Sequence, residues 1–234
     1  MIPTARLQDV AAAFESALSA HFQCSFTPKD ESTLHLAIAD AFDVVSMGQA
    51  KAQELATLVH LDLPRLALPT GDDYLGEFTT TIANTVATPR NWTAPDNAAD
   101  RIATGAHEVV HVTQHQKGVD AGWWPKVVSH SVLYLCSVAT DDAAEYLGKV
   151  EADAYATTEA VRVWMGFARR PMADIVASLR RSYAIRPAGA VAAEGVLRSH
   201  FAAMDDGGRP NVAVCGWSLD WLAANAPDLQ GLVA

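Results

Sequence analysis

Two histidines and one glutamate form the most chemically suggestive pattern in the sequence, His-Glu-Val-Val-His at residues 107–111. Four residues of helix turn the chain by about 400°, so His107 and His111 would present their imidazoles on one face, one turn apart. That spacing lets both rings reach one Zn²⁺ ion. Glu108, offset by about 100°, would lie beside the ion, where a general base can take a proton from metal-bound water.

The motif lies in a segment that we expect to form one helix, from about Asp96 to Lys117. Asp96 and Asp100 suit the positive N-terminal end of a helix, and Gly118 is a typical stop signal after its C-terminal end. With 8 histidines and 9 glutamates among 234 residues, chance would produce roughly 0.01 such motifs. The alternative is a helix whose two histidines are solvated or hydrogen bonded internally.

A zinc site that keeps one position open for a substrate needs a third protein ligand. His115 follows His111 by four residues, but it would lie about 12 Å along the helix axis from His107, which is poor geometry for one ion. It is therefore better explained as a surface or supporting residue.

Carboxylates further along the chain are better candidates for the third ligand. Asp142 and Glu145 form an Asp-x-x-Glu capping pair, which predicts a helix running to about Phe167. Glu151 in this helix is flanked by small residues, which would let the helix approach the motif helix closely. Glu151 is thus favoured as the third ligand, while the other acids of the segment remain alternatives. These alternatives are Asp153, Glu145 and Glu159.

Residues 77–168 resemble the gluzincin group of zinc metallopeptidases, most closely its compact, minigluzincin-like members. The resemblance depends on the His-Glu-x-x-His motif and on the element Glu-Ala-Asp-Ala-Tyr at residues 151–155, with the strand-like stretch 79–88 before them. It implies a zincin-like α+β fold and the hydrolysis of peptide bonds. An extended peptide substrate would then add to the strand that precedes the motif helix.

The resemblance also assigns roles to particular residues. It implies that His107, His111 and Glu151 bind Zn²⁺ and that Glu108 is the general base. Larger gluzincins often place an aspartate one turn after the glutamate ligand, where this chain has Tyr155, so Tyr155 either supports a zinc histidine through its hydroxyl or packs in the core. Family members also stabilise the oxyanion with a late histidine, tyrosine or arginine. The candidates for that role are Tyr183, Arg186 and His200.

The first 90 residues predict mixed structure. An apolar spacing of three and four predicts an amphipathic helix over residues 7–22, and alternation over residues 33–38 predicts a strand with His35 facing solvent. Residues 61–69, which contain prolines, predict an irregular connector. The β-forming residues 77–88 predict one bent strand or a tight pair of strands.

Alanine-rich helical segments follow from Asp96 onward, and a turn is expected at Gly71-Asp72-Asp73. We therefore expect an α+β protein with a single zincin-like domain over residues 1–234. Its parts would be a mixed half (1–90), the active-site and C-terminal helices (91–204) and a C-terminal tail (205–234).

Charge and composition exclude several classes of partner. Seventeen basic against 27 acidic residues give a net charge of −10, the wrong sign for binding nucleic acid, and favour a basic or neutral peptide over an acidic one. No apolar run is long enough to span a bilayer, and the first residues do not resemble a signal peptide, so we expect a soluble protein that is cytoplasmic at synthesis. The widely spaced Cys24, Cys136 and Cys215 predict buried, reduced thiols.

Two other functions remain open at this stage. The fold could serve as a catalytically silent or latent binding module, with the tail that carries Cys215, Trp217 and Trp221 covering the cleft or docking to a partner protein. The substrate could also be the peptide stem of a cell wall.

Overall fold

The structure is a computed structural model that describes residues 3–58, 70–120, 140–182 and 185–232. This part of the chain is mostly helical and contains one small sheet, which confirms the α+β class. The helices are α1 (Thr4–Phe22), α2 (Thr33–Leu58), α3 (Gly71–Gly76), α4 (Ala98–Asp120), α5 (Asp141–Trp164), α6 (Met172–Ser182), α7 (Pro187–Asp205) and α8 (Ala213–Asn225). The strands are β1 (Ser25–Pro28), β2 (Thr80–Ile82) and β3 (Thr85–Thr88).

Contacts divide the chain into two compact units. The first unit comprises Met1–Phe26, Thr81–Val86 and Thr93–Ala234, and it contains the histidine motif. The second comprises Thr27–Thr80 and Ala87–Trp92.

The three strands form a sheet in the order β1-β3-β2, so β2 lies at an edge. The two residues between β2 and β3 make a tight connection in which Ala83 adopts a left-handed conformation (φ 54°). Of the two alternatives for residues 77–88, the tight pair is therefore correct. None of the described helices is both long enough and apolar enough to cross a membrane.

The core of the first unit forms around α4. Val10, Phe14 and Leu18 of α1 are buried against it, which confirms the predicted amphipathic helix. Trp217 and Trp221 of α8 pack their rings on Phe14, with centroid distances of 6.1 and 5.2 Å. Because α8 closes this core, residues 213–225 are an integral part of the unit.

A second cluster of the same unit joins α5, α6 and α7. Gly148 of α5 meets the backbone of Gly189 in α7, and a Cβ atom at Gly148 would overlap with the Gly189 carbonyl oxygen. The small residue at position 148 thus permits close packing of α5 on α7. Close packing of α5 on α4 instead uses Ala154, which is buried in the α4 cluster.

The predicted strand at residues 33–38 is wrong, because this segment begins α2. His35 and Ala39, four residues apart, are buried, whereas Leu34 and Leu36 are 54% and 39% exposed. A run of only six residues is compatible with both the two-residue period of a strand and the 3.6-residue period of a helix. The helix-forming residues that follow favour the helix. His35 is consequently buried instead of facing solvent.

Other predicted boundaries also need correction. The expected turn at residues 71–73 is the start of α3, where Thr70 and Asp73 form a reciprocal capping box. Gly118 does not end α4, since it keeps a helical backbone and the helix continues to Asp120. The N-cap of α5 is Thr140, whose hydroxyl accepts a hydrogen bond from the Ala143 amide, and the helix ends at Trp164.

Some predictions concern residues outside the described ranges. These are the connector at residues 61–69, Cys136 and Tyr183. Cys24 and Cys215 are free and buried as predicted, and burial raises the thiol pKa of Cys24 to about 11 and that of Cys215 to about 12.

A buried polar cluster lies in the second unit. The Lys29 ammonium donates to the Tyr74 carbonyl (2.9 Å) and lies 3.6 Å from the centroid of the Tyr74 ring. The Nδ1 atom of His35 is 2.6 Å from the Tyr74 hydroxyl. Burial, and secondarily the charge of Lys29, lower the pKa of His35, so the folded unit favours neutral imidazole.

We expect Gly148→Ala to destabilise the protein by about 1–3 kcal/mol, because the added methyl group forces α5 and α7 apart. Gly195→Ala in α7 is the matched control, since no atom lies within 4 Å of its Cβ position, and it should stabilise the helix by about 0.5–1 kcal/mol. Urea unfolding of the two variants measures the difference. Equal stability of both variants would contradict this packing.

The second unit should lose stability as the pH falls below about 6.5, because unfolded His35 then binds a proton that the folded unit resists. We expect stability to fall between pH 7.5 and pH 5, measured by hydrogen exchange of peptides covering residues 33–48. His35→Gln should flatten this dependence. An unchanged pH dependence in that variant would show that another group causes it.

Candidate metal centre

The two motif histidines point their Nε2 atoms at one place. His107 and His111 lie one turn apart on α4 and are 7% and 4% exposed. Their Nε2 atoms are 3.3 Å apart, and the ring planes are nearly perpendicular, at 81°. The helical spacing therefore brings two imidazole lone pairs to a shared point inside the protein.

Glu151 approaches the same point from α5. Its side chain is completely buried, with one carboxylate oxygen 3.8 Å from His107 Nε2 and the other 3.7 Å from His111 Nε2. The ligand atoms of the three residues lie within 4.8 Å of one another. Among the described residues, this is the one His/Cys/Asp/Glu group arranged to hold a metal ion.

The donor set and its dimensions fit Zn²⁺. A tetrahedral ion at about 2.0–2.1 Å from each ligand separates neighbouring ligand atoms by about 3.3 Å. The two Nε2 atoms match this value at 3.3 Å, and the nearest Glu151 oxygen, a different one for each histidine, is 3.7 or 3.8 Å away. With a single Glu151 oxygen as the ligand, all three ligand atoms lie within 4.8 Å of one another. Two imidazoles and one carboxylate are also a ligand set that leaves a fourth position open for water or substrate in catalytic zinc sites.

Outer hydrogen bonds fix the tautomer of His107. Its Nδ1 atom is 3.0 Å from Thr158 Oγ1, and that hydroxyl donates its hydrogen to the Ala154 carbonyl at 3.2 Å. Because a hydroxyl has one hydrogen, Thr158 accepts from Nδ1–H of His107. The Nε2 atom then carries the lone pair that a metal ion requires.

Gln114 orients His111 in the same way. Its amide nitrogen donates to the Val150 carbonyl (3.0 Å), so its amide oxygen, 2.9 Å from His111 Nδ1, accepts from that ring. Gln114 thereby contacts both helices of the site.

Burial keeps both histidines neutral. It lowers the pKa of His107 well below the ordinary value. A proton on His111 and the charge of Arg170 would lower it further, and a hydrogen bond to the Ala154 backbone acts in the opposite direction. Burial also lowers the pKa of His111, although the charge of Glu108 and the Gln114 hydrogen bond act in the opposite direction. Neutral imidazole is the metal-binding form, so the surroundings prepare both rings for an ion.

Glu108 follows His107 on α4, its charge acts on His111, and its side chain is 7% exposed. Thr81 of the edge strand β2 donates from its hydroxyl to Glu108 Oε2 at 2.6 Å. This hydrogen bond fixes the carboxylate and places β2 next to it.

The remaining acidic candidates for the third ligand have other partners. Asp153 binds His200 Nε2 (2.8 Å), and Glu145 pairs with Lys149 at the surface. Glu159, which is fully buried, accepts hydrogen bonds from Nε and from the backbone amide of Arg170, at 2.6 and 2.8 Å.

The other candidates are placed as follows. His115 is half-buried on α4 and is not part of the converging group. The Tyr155 ring packs edge-on against His107, with a centroid distance of 4.9 Å. Arg186 pairs with Asp141 at the surface, at 2.6 Å.

Sequence reasoning missed three residues that support the site, namely Thr81, Gln114 and Thr158. Gln114 follows His111 by three residues, and Thr158 follows Glu151 by seven, so both spacings place a polar side chain on the inner face of its helix. The helical period could have indicated these two. Thr81 depends on how β2 meets α4, for which the sequence carries no such signal.

Comparison of the chain with protein-family models, with curated proteins and with solved structures finds no match in any of the three.

We expect Thr158→Val to weaken zinc binding about 10–100-fold, because His107 loses the acceptor that fixes its tautomer. Thr157→Val is the matched control, since Thr157 is equally buried and its hydroxyl also donates to the carbonyl four residues earlier, that of Asp153. Competition with a chelator measures both affinities. Equal zinc affinity in the two variants would contradict the role given to Thr158.

Proposed function

We propose that this protein is a zinc-dependent metallopeptidase with a zincin-like fold of gluzincin type. The observation that carries the proposal is the convergence of His107, His111 and Glu151 on one buried point, with the buried Glu108 next to His107 on the same helix. His107, His111 and Glu151 would hold the ion. Bound zinc supplies a Lewis acid that lowers the pKa of water and polarises a carbonyl group.

The chain itself contributes proton transfer and positioning. Glu108 accepts the proton of the attacking water and passes it to the nitrogen of the scissile amide as that bond breaks. The Thr81 hydrogen bond holds one Glu108 oxygen, so the other oxygen can face the water. Thr158 and Gln114 keep the two histidines in the ligand tautomer.

The edge strand β2 supports a peptide as the substrate. An edge strand offers unpaired backbone groups, to which an extended peptide can add as a further strand. Because Thr81 of β2 contacts Glu108, a peptide lying along β2 would pass close to the general base. The amide to be cleaved would thus be brought to the proposed centre.

Glu108→Gln should retain zinc and lose peptidase activity by about 100-fold or more, because the amide has the shape of the carboxylate but cannot accept the proton. Labelled casein and a broad peptide library, with products identified by mass spectrometry, provide the assay. Glu145→Gln, which removes an exposed acid from α5, is the control and should remain active. Undiminished cleavage by Glu108→Gln would refute the mechanism.

The same assay distinguishes the other functions. Wild-type protein that holds one zinc ion per chain but cleaves no peptide would favour a silent or latent binding module. Cleavage restricted to purified cell-wall fragments would identify the wall peptide as the substrate.

A further inference from the structure

A pocket of about 410 Å³ opens in the first unit between α7 and the segment that precedes α6. Three arginines line it, together with apolar side chains and one acid. The arginines are Arg169, Arg170 and Arg198, the apolar side chains include Met172 and Phe201, and the acid is Asp205. Each arginine also has a carboxylate partner, so the pocket offers guanidinium groups and not a net positive charge.

Arg170 is held rigidly at the wall of the pocket. Its Nε atom and backbone amide both bind the buried Glu159, at 2.6 and 2.8 Å. The Glu159 contacts use Nε and not the two terminal amino groups of the guanidinium, and the Arg170 side chain remains 39% exposed. A guanidinium fixed through Nε can offer its outer edge to a second anion.

Arg170 also connects the pocket to the candidate metal centre. Its guanidinium carbon lies 5.4 Å from the centroid of the Tyr155 ring, and that ring packs edge-on against His107 at 4.9 Å. One aromatic ring therefore separates the arginine pocket from a proposed zinc ligand. A peptide with its scissile bond at the metal could place a neighbouring group in the pocket.

The other two arginines differ in mobility. Arg169 is fixed by Asp205, at 2.8 Å, and by the Phe201 ring, 4.4 Å from its guanidinium carbon. Arg198 is 69% exposed and pairs with Glu194 of its own helix, one turn away. An exposed pair of this kind is weak, so Arg198 can turn to an incoming anion at little cost.

We propose that this pocket binds a carboxylate of the peptide substrate, so that the enzyme selects peptides with an acidic group close to the scissile bond. The inference rests on the proposed peptidase function. Arginine binds carboxylates through paired, charge-assisted hydrogen bonds, and the apolar wall of Phe201 and Met172 suits the methylene groups that carry such an acid. The acid is a glutamate or aspartate side chain or the C-terminal carboxylate of the peptide. The guanidinium groups would thus give a local preference opposite to the one for basic or neutral peptides that the net charge suggests.

Binding to the zinc-loaded Glu108→Gln chain tests this proposal without turnover. The probes are acetylated octapeptides of alanine and serine with an amidated C-terminus, in which one glutamate or one glutamine occupies each position in turn. A third set contains glutamine and ends in a free carboxylate. Equilibrium dialysis measures the affinity of each peptide. We expect a glutamate peptide to bind about tenfold more tightly than the glutamine peptide at the same position, for at least one position. If the pocket binds the C-terminal carboxylate instead, the peptides with a free C-terminus should bind about tenfold more tightly than the amidated ones.

Variants of the pocket locate the preference. Arg198→Gln should reduce the preference for acidic peptides severalfold. Arg180 is exposed and lies outside the pocket, so Arg180→Gln, which removes the same charge, should leave that preference unchanged. Arg170→Gln combined with Glu159→Gln avoids an uncompensated buried carboxylate and should abolish the preference while zinc stays bound.

The outcomes separate this inference from the proposed function. Equal binding of all matched peptides, or a preference that persists in the Arg170/Glu159 double variant, would overturn the carboxylate pocket even if wild-type protein cleaves peptides. A preference for acidic peptides in Glu108→Gln, together with no cleavage of any peptide by the wild-type chain, would support the pocket and overturn the peptidase.

Discussion

The candidate site depends on one constraint, which is that the side chains of His107, His111 and Glu151 bring their lone pairs together inside the protein. The Nε2 atoms of His107 and His111 lie 3.3 Å apart with the Glu151 carboxylate next to both, and Glu151 has no exposure to water. Bringing a carboxylate out of water is costly, and electron-rich atoms facing one another repel. A divalent cation at their centre would offset both effects, which is the physical basis for proposing a metal ion at this group.

Helix packing and ligand orientation are achieved by the same contacts. Gln114 on α4 accepts a hydrogen bond from His111 and donates one to the backbone of α5, while Thr158 on α5 accepts one from His107 on α4. Ala154 supplies the small side chain that lets the helices approach. A change that separates the helices would therefore also turn the ligands.

The sequence predicts this site better than it predicts the fold around it. His107 and His111 could be paired because a four-residue spacing has a definite meaning in a long helix, and Glu151 could be favoured because small residues surround it. Residues 33–38 were assigned wrongly because their alternation was too short to determine the period, and the burial of His35 depends on Tyr74, which is distant in the chain. The role of Thr81 could not be predicted either, because its contact with Glu108 joins a strand to a helix that is distant in the chain.

Zinc K-edge X-ray absorption on the full chain, loaded with one equivalent of Zn²⁺, tests the central claim most directly. A zinc ion held by His107, His111 and Glu151 would show stoichiometric binding and a first shell of nitrogen and oxygen atoms at about 2.0–2.1 Å, with the outer scattering of two imidazoles. That imidazole scattering should be lost in a His107→Ala, His111→Ala double variant. A spectrum of hydrated zinc, a shell that contains sulfur, or an unchanged imidazole signal in the double variant would contradict it.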